Sequence, residues 1–163
     1  FVMTEKRIHR AASGHEISLY CHVGEAVCAV QYVEDALSHS IVLKVGAPPT
    51  KSEADQQLEK HQKYTLGKAI RIAGEKAIFS ELIQTRLNKF LKERNWLIHK
   101  SIAHGAKALE KNENRNRMID RIKAITKQAH ELLEMIEGDL IDFAEASGKD
   151  MSRVKNEISK YYQ

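Results

Sequence analysis

The chain has 163 residues, of which 29% are charged and 6% aromatic, with a formal net charge of +4. This length suffices for one well-buried core, and no Pro-, Gly- or Ser-rich linker divides it, so we expect a single domain over residues 1–163. No apolar run approaches the roughly 20 residues that cross a bilayer, and the amino terminus lacks a basic segment followed by an apolar one. The sequence therefore excludes a membrane-spanning class, and we expect a cytoplasmic location.

The composition, rich in Ala, Leu, Ile, Glu, Lys and Gln, favours helix throughout. The first predicted helix covers residues 14–44, where apolar residues recur at three-then-four spacing: Tyr20, Val23, Val27, Val30, Leu37 and Ile41. A glycine and two adjacent prolines within 45–51 then turn the chain. Ser52, with Asp55 three residues later, offers an N-cap for a second helix over about 52–74.

Three more helices complete the predicted fold. The third runs over about 80–104, where Gly105 is a natural stop. The fourth covers about 114–146, and its apolar stripe comprises Met118, Ile122, Ile125, Ala129, Leu132, Ile136, Leu140 and Phe143. A short helix over 149–162 follows. Four long amphipathic helices joined by short turns predict an all-α, up-and-down four-helix bundle with an additional short C-terminal helix.

Charge is distributed unevenly along these helices. Between residues 84 and 105 only Glu93 opposes the basic residues, which are Arg86, Lys89, Lys92, Arg94 and Lys100. Residues 131–146, by contrast, contain acidic residues and no Lys or Arg. Such an asymmetry indicates either a solvated helix face or a surface for a polyanion such as RNA, with Lys92 and Lys100 as candidate RNA-binding residues.

One residue breaks the pattern of the third helix. On a helical wheel an apolar arc contains Phe79, Ile83, Leu87, Phe90, Leu97, Ile98 and Ile102, and Arg94 falls in its middle. A guanidinium on a core stripe costs several kcal/mol unless it is paired or opens onto a cleft. Asn95 and His99 lie four residues apart at the edge of the same arc. The sequence predicts that the three form a rim between core and solvent, and that Arg94→Ala leaves the fold intact or stabilises it.

The segment Arg94-Asn95-Trp96-Leu97-Ile98-His99 resembles the RN-x-x-x-H signature of the HEPN family, small helical-bundle domains of bacterial toxins, defence systems and RNA-processing enzymes. Its place on a late helix, after a Thr65-Leu66-Gly67 stretch, also fits many bacterial members. The resemblance covers the bundle, roughly residues 14–146. It implies metal-independent endoribonuclease activity at the cleft of a homodimer, without a cofactor, as in the toxin of a defence or toxin–antitoxin system.

The resemblance implies a role for each of the three catalytic candidates. His99 would act as general base on a ribose 2′-OH or as acid at the leaving 5′ oxygen, Arg94 would hold the phosphate, and Asn95 would orient His99 or the phosphate. Cleavage would then leave a 2′,3′-cyclic phosphate. One histidine cannot be acid and base in the same step, which favours a two-fold interface. Members paired with nucleotidyltransferase antitoxins often carry a Tyr two residues after the His, where this chain has Ser101.

Other functions stay open on the sequence. The chain is alternatively a non-catalytic helical module that binds RNA or a partner protein such as an antitoxin, or a helical adaptor in which the motif occurs by chance. Cys21, Glu25 and Cys28 share a face of the first helix but lack the tight spacing of a structural zinc site, so we predict no metal site and expect both thiols to be packed. Trp96 lies opposite the apolar arc, where it could stack a base or pack against a neighbouring helix or subunit.

Overall fold

The computed structural model describes residues 11–108 and 111–161, and within these ranges every regular element is helical. The elements are α1 (Gly14–Ile41), a π-helical turn (Val42–Gly46), α2 (Lys51–Gln62), α3 (Leu66–Glu75), α4 (Glu81–Ala108), α5 (Asn112–Ala146) and α6 (Ser152–Tyr161). The predicted all-α class is confirmed. None of the described helices combines the length and the apolar content needed to cross a membrane.

Residues with hydroxyl side chains cap the N-termini of the first helices. Ser13 caps α1 in a capping box, in which its hydroxyl accepts from the Glu16 amide at 3.3 Å while the Glu16 carboxylate accepts from the Ser13 amide at 2.7 Å. Thr50 caps α2, and its hydroxyl accepts from the Glu53 amide at 3.3 Å. The prediction that Ser52 caps this helix is therefore wrong by two residues, because Thr50 follows directly on the prolines and adopts the extended backbone of an N-cap.

The predicted second helix, 52–74, is divided in two. Helix α2 ends at Gln62, and α3 begins at Leu66 under a new N-cap, Thr65, whose hydroxyl accepts from the Lys68 amide at 3.3 Å. A threonine hydroxyl that bonds the backbone ahead of it competes with helix continuation, which accounts for the break. The break matters for the site because it lets the chain reverse direction between α2 and α3.

Three long helices, α1, α4 and α5, form the centre of the molecule. Contacts along their length set the directions: Glu34 of α1 pairs with Arg94 of α4, and Lys44, just after α1, bonds the Ile78 carbonyl just before α4, so α1 and α4 are antiparallel. Helices α4 and α5 are antiparallel as well, since Arg86 pairs with Glu131 while Glu93 pairs with Arg121. The residues that these helices bury against one another include Val30, Val33, Leu37, Leu87, Phe90, Leu97, Ile122, Ile125 and Ile136.

Helix α3 packs against both α1 and α4. In its middle the Ile70 carbonyl accepts from the Gln84 amide at 3.1 Å, and at its beginning Gly67 lies beside Leu91, where an added Cβ would stand 3.6 Å from a leucine methyl. Because α3 starts at Leu66, it covers α4 as far as Leu91. The second half of α4, which carries the motif, lies beyond this cover.

Candidate functional site

Arg94 forms an ion pair with Glu34. Its Nε and Nη2 lie 3.1 and 3.0 Å from Oε1 of the Glu34 carboxylate, and the two side chains are 23% and 31% exposed. The expectation that a guanidinium on the core stripe needs a partner or a cleft is met by a carboxylate from the neighbouring helix. Since both contacts go to Oε1, Oε2 keeps capacity to accept a further hydrogen bond.

Sequence reasoning missed Glu34, although a signal for it exists. Glu34 lies on the buried stripe of α1, four residues after Val30 and three before Leu37. It is thus an acidic exception on one apolar stripe, as Arg94 is a basic exception on another. Two opposite charges placed on core stripes of helices that pack together are expected to pair, because each would otherwise be partly desolvated without compensation.

Asn95 and His99 point away from the core. Both side chains are exposed, and neither forms a hydrogen bond or ion pair with another side chain among the described residues. At about 100° per residue, Arg94 and His99 lie about 140° apart around the helix. The structure therefore brings Asn95 and His99 together on the outer surface of α4, one turn apart, and turns Arg94 inward towards α1.

The surface between Arg94 and His99 is apolar. Ile98 is 41% exposed and Ile102 is 52% exposed, and their angular positions fall between those of Arg94 and the Asn95–His99 edge. The prediction that these isoleucines lie in the buried arc is wrong. The buried stripe of α4 is narrower than the apolar arc, and in this half of the helix it continues through Leu97 and Ser101, because α3 is too short to cover the isoleucines.

Some basic residues of α4 form ion pairs with carboxylates of neighbouring helices, and others do not. Arg86 and Arg94 pair with carboxylates of α5 and α1. Lys92 and Lys100 are exposed, and neither contacts a carboxylate of another described residue within ion-pair distance. Lys92 precedes His99 by seven residues, two turns along one helix face, and Lys100 follows His99 directly. The unpaired Lys92 thus shares the face of His99, and the unpaired Lys100 lies about 100° away around α4.

Trp96 packs within the same chain, against α5. It is half-buried at the edge of the core, and the Arg121 guanidinium lies 3.8 Å from the centre of its ring. Arg121 in turn donates to Glu93 through Nε and Nη2 at 3.0 and 3.2 Å. Of the two roles open on the sequence, stacking of a base and packing on a helix, the structure shows the second. This arrangement joins α4 to α5 one residue after Asn95.

The motif resembles that of the HEPN family, some members of which carry a modifiable tyrosine two residues after the histidine. Ser101 occupies this position here. Its side chain is 1% exposed, and its hydroxyl donates to the Leu97 carbonyl within α4. A hydroxyl in this setting is not accessible to a modifying enzyme in the folded chain. The position therefore serves helix packing here.

Cys21 and Cys28 are both exposed, contrary to the expectation that they are packed. They lie on the outer face of α1, beyond the edge of its buried stripe. Glu25 and Cys28 do not form part of a metal-ligating group, since no three His, Cys, Asp or Glu side chains in the described part of the chain lie close enough to hold an ion.

A polar pocket of about 170 Å³ lies beside the Arg94–Glu34 pair, between α1 and the α2–α3 turn. Its walls and floor comprise Gln31, Glu34, Asp35, Ser38, Gln62, Tyr64, Leu66 and Ala69. Ser38, Leu66 and Ala69 are buried, so the floor is small and largely apolar. The other lining residues include the carboxylates of Glu34 and Asp35 and the amides of Gln31 and Gln62.

Next to this pocket, His61 packs edge-on against Tyr64, with ring centres 4.9 Å apart. Burial lowers the pKa of His61 below its ordinary value of 6.5, and the positive charges of Lys60 and Lys68 lower this pKa further. The Lys68 ammonium lies 3.5 Å from the centre of the Tyr64 ring. The neutral form of His61 is therefore favoured relative to an ordinary histidine.

In comparisons with known proteins, no family model, no curated protein and no solved structure matches the chain.

Proposed function

We propose that the chain is a HEPN-type, metal-independent endoribonuclease that works as a homodimer in the cytoplasm, as the toxic component of a defence or toxin–antitoxin system. The observation that carries the proposal is the composition of one surface of α4. It combines His99 and Asn95 in solvent, the unpaired Lys92 on the same face, and the exposed isoleucines 98 and 102 between His99 and Arg94, while the unpaired Lys100 lies about 100° farther around the helix. Unpaired cations supply affinity for a phosphodiester backbone, and apolar side chains on the same surface favour a protein contact.

The residues divide the chemistry between them. His99, exposed to solvent, would take the proton of a ribose 2′-OH as it attacks the adjacent phosphorus, and the His99 of a second copy would give a proton to the leaving 5′ oxygen. Arg94 would stabilise charge on the non-bridging oxygens, and Asn95 would hydrogen-bond the phosphate or His99. The products are a 2′,3′-cyclic phosphate and a 5′-hydroxyl, so the protons taken and given balance.

A homodimer accounts for the separation of Arg94 and His99 around α4. Because the two side chains diverge by about 140°, Arg94 of one copy faces α1 while His99 of the same copy faces solvent. The isoleucines lie between them, so a second copy seated on these isoleucines would border both side chains and could complete the site across a two-fold axis.

The test uses purified protein and a defined RNA in the presence of EDTA. We expect cleavage that stops when the scissile nucleotide carries a 2′-deoxyribose, and His99→Ala should lower the rate by about 10²- to 10⁴-fold. His130→Ala, at an exposed histidine of α5, is the matched control and should cleave like the unmodified chain. Cleavage that needs a metal, that includes DNA, or that survives His99→Ala would refute the proposal.

A second candidate function follows from the Arg94–Glu34 pair. In the structure the guanidinium is already neutralised by a carboxylate, as suits a module that binds RNA or a partner protein without cleaving it. Such a module would bind RNA equally well with and without His99→Ala and release no fragments. The cleavage assay above, combined with a mobility-shift assay on the same RNA, separates the two functions.

A further inference from the structure

The polar pocket beside the Arg94–Glu34 pair has a volume and a lining that suit a small ligand. At about 170 Å³ it is well below the roughly 300 Å³ at which pockets begin to hold drug-sized molecules. The buried Ser38, Leu66 and Ala69 form its floor, and Tyr64 adds an aromatic ring to its lining. A single nucleobase combines planar apolar faces with a polar edge, and such a ligand matches an apolar floor with polar walls.

The walls of the pocket are rich in hydrogen-bond acceptors. Asp35 Oδ1 accepts from the Gln62 amide at 3.2 Å and Oδ2 lies 3.5 Å from His39 Nδ1, and a carboxylate with about four lone-pair directions keeps capacity beyond these two contacts. Glu34 uses Oε1 for Arg94 and keeps Oε2. The lining contains two carboxylates and no Lys or Arg side chain. It therefore favours a base edge that donates hydrogen bonds.

We propose that this pocket binds a guanine base of the RNA, next to the phosphate held by Arg94. Guanine presents two neighbouring donors, N1–H and the N2 amino group, which a carboxylate such as that of Asp35 can accept together. Adenine and cytosine present an amino group beside an acceptor, and uracil presents one N–H between two acceptors. A carboxylate repels these acceptor atoms. The inference rests on the proposed RNA-directed function and adds a base preference to it.

Arg94 and the pocket are linked through Glu34, which contacts one and lines the other. In the proposed complex, a nucleotide with its base in the pocket would place its phosphate towards the guanidinium that Glu34 holds. This arrangement makes Asp35 a specificity residue, because it would contact the base and not the reacting atoms.

The test measures binding without cleavage, by titration calorimetry with short 2′-fluoro adenosine oligonucleotides that carry one central guanine, hypoxanthine or uracil. Hypoxanthine lacks the N2 amino group, so we expect the guanine oligonucleotide to bind about tenfold more tightly than the other two. Asp35→Asn should remove this preference, so that the guanine and hypoxanthine oligonucleotides bind with equal affinity, and retained binding of both oligonucleotides shows that the variant is folded. Asp120→Asn, at an exposed aspartate of α5, is the control and should keep the preference.

The outcomes separate this inference from the proposed function. Equal affinity for the three oligonucleotides, or a guanine preference that survives Asp35→Asn, overturns the guanine pocket even if RNA is cleaved. A guanine preference that depends on Asp35, in a protein that cleaves no RNA, supports the pocket and refutes the ribonuclease. Absence of binding to all three oligonucleotides refutes the pocket as well.

Discussion

The Arg94 guanidinium is held by the carboxylate of Glu34, sixty residues earlier in the chain, through two contacts of 3.0 and 3.1 Å to a single oxygen. The pair connects α4 to α1 at the edge of the core, beside the surface that carries Asn95 and His99. In this structure Arg94 therefore contributes both to helix packing and to the candidate site, and these two contributions can be separated by substitution.

Arg94→Ala should destabilise the fold, whereas the sequence predicted unchanged or increased stability. Removing the guanidinium leaves the Glu34 carboxylate partly buried without its partner, which we expect to lower the free energy of unfolding by about 1 kcal/mol. Urea denaturation would measure the change. Lys92→Ala, at an exposed and unpaired position of α4, should stay within about 0.5 kcal/mol of the unmodified chain. An Arg94→Ala variant as stable as Lys92→Ala would show that the ion pair contributes nothing.

Glu34→Gln should increase affinity for RNA. The amide oxygen can still accept from Arg94, but the negative charge that competes with a phosphate for the guanidinium is gone. We expect a several-fold tighter dissociation constant in a mobility-shift assay at low salt. Glu25→Gln removes the same charge from the exposed face of α1 and serves as the control. Equal tightening by both variants would assign the effect to net charge alone.

Ile98→Glu should disrupt the homodimer. The isoleucine is 41% exposed on the motif-bearing surface of α4, so the substitution has little effect on the core and places a charge in the proposed interface. Sedimentation at micromolar concentration should show a dimer for the unmodified chain and a monomer for the variant. Leu82→Glu provides the control, since Leu82 is 59% exposed near the beginning of the same helix, distant from the motif. A monomeric unmodified chain that cleaves RNA would contradict the composite site.

RNA affinity should fall as salt rises. Because the exposed lysines beside His99 contact phosphates in the proposed complex, the logarithm of the binding constant should decrease linearly with the logarithm of salt concentration. Lys92→Glu or Lys100→Glu should weaken binding and reduce the slope by about one contact. Lys149→Glu, at the opposite end of the molecule, should change neither quantity strongly. Affinity that is independent of salt would contradict the electrostatic account.

Stability should decline as pH falls below about 6.5, in part because of His61. Its pKa in the folded chain is below the value of 6.5 expected when unfolded, so the unfolded chain binds the proton more readily. The stabilisation from neutral His61 is therefore complete above pH 6.5 and is lost as pH falls through the lower folded pKa. Urea midpoints measured across this range should fall less in His61→Gln than in the unmodified chain. A histidine NMR titration that gives an ordinary pKa for His61 would disprove the assignment.

The sequence predicted helices well where one apolar stripe is buried over most of the element, as in α5 from Met118 to Ile136, although Phe143 of the same predicted stripe is 38% exposed. It failed at Thr65, where a local side-chain cap divides a helix that composition alone would continue. It also placed Ile98 and Ile102 in the core, because a wheel shows which side chains share a face and cannot show how far a neighbouring helix extends along it. Here α3 covers α4 only as far as Leu91, and Ile98 and Ile102 lie beyond this point.

The candidate site was predicted in part for the same reason. Arg94 is conspicuous in the sequence because a permanent charge on a core stripe requires compensation. Its partner was not identified, since the pairing depends on which residues of α1 and α4 lie side by side. The exposure of Asn95 and His99 agrees with a rim position, whereas their separation from Arg94 around the helix becomes clear only when the inward pairing with Glu34 is known.

Because Trp96 packs against Arg121, its intrinsic fluorescence can report on this contact. Trp96 is the single tryptophan of the sequence, and it lies within the Arg94–His99 segment. Its indole emission therefore reports on one place, the junction of α4 and α5 beside the candidate site, without any label. The cation 3.8 Å from the ring centre makes this emission sensitive to small movements of α5 relative to α4. Binding of RNA, or of a second copy, can thus be followed at the site itself by the fluorescence of the unmodified protein.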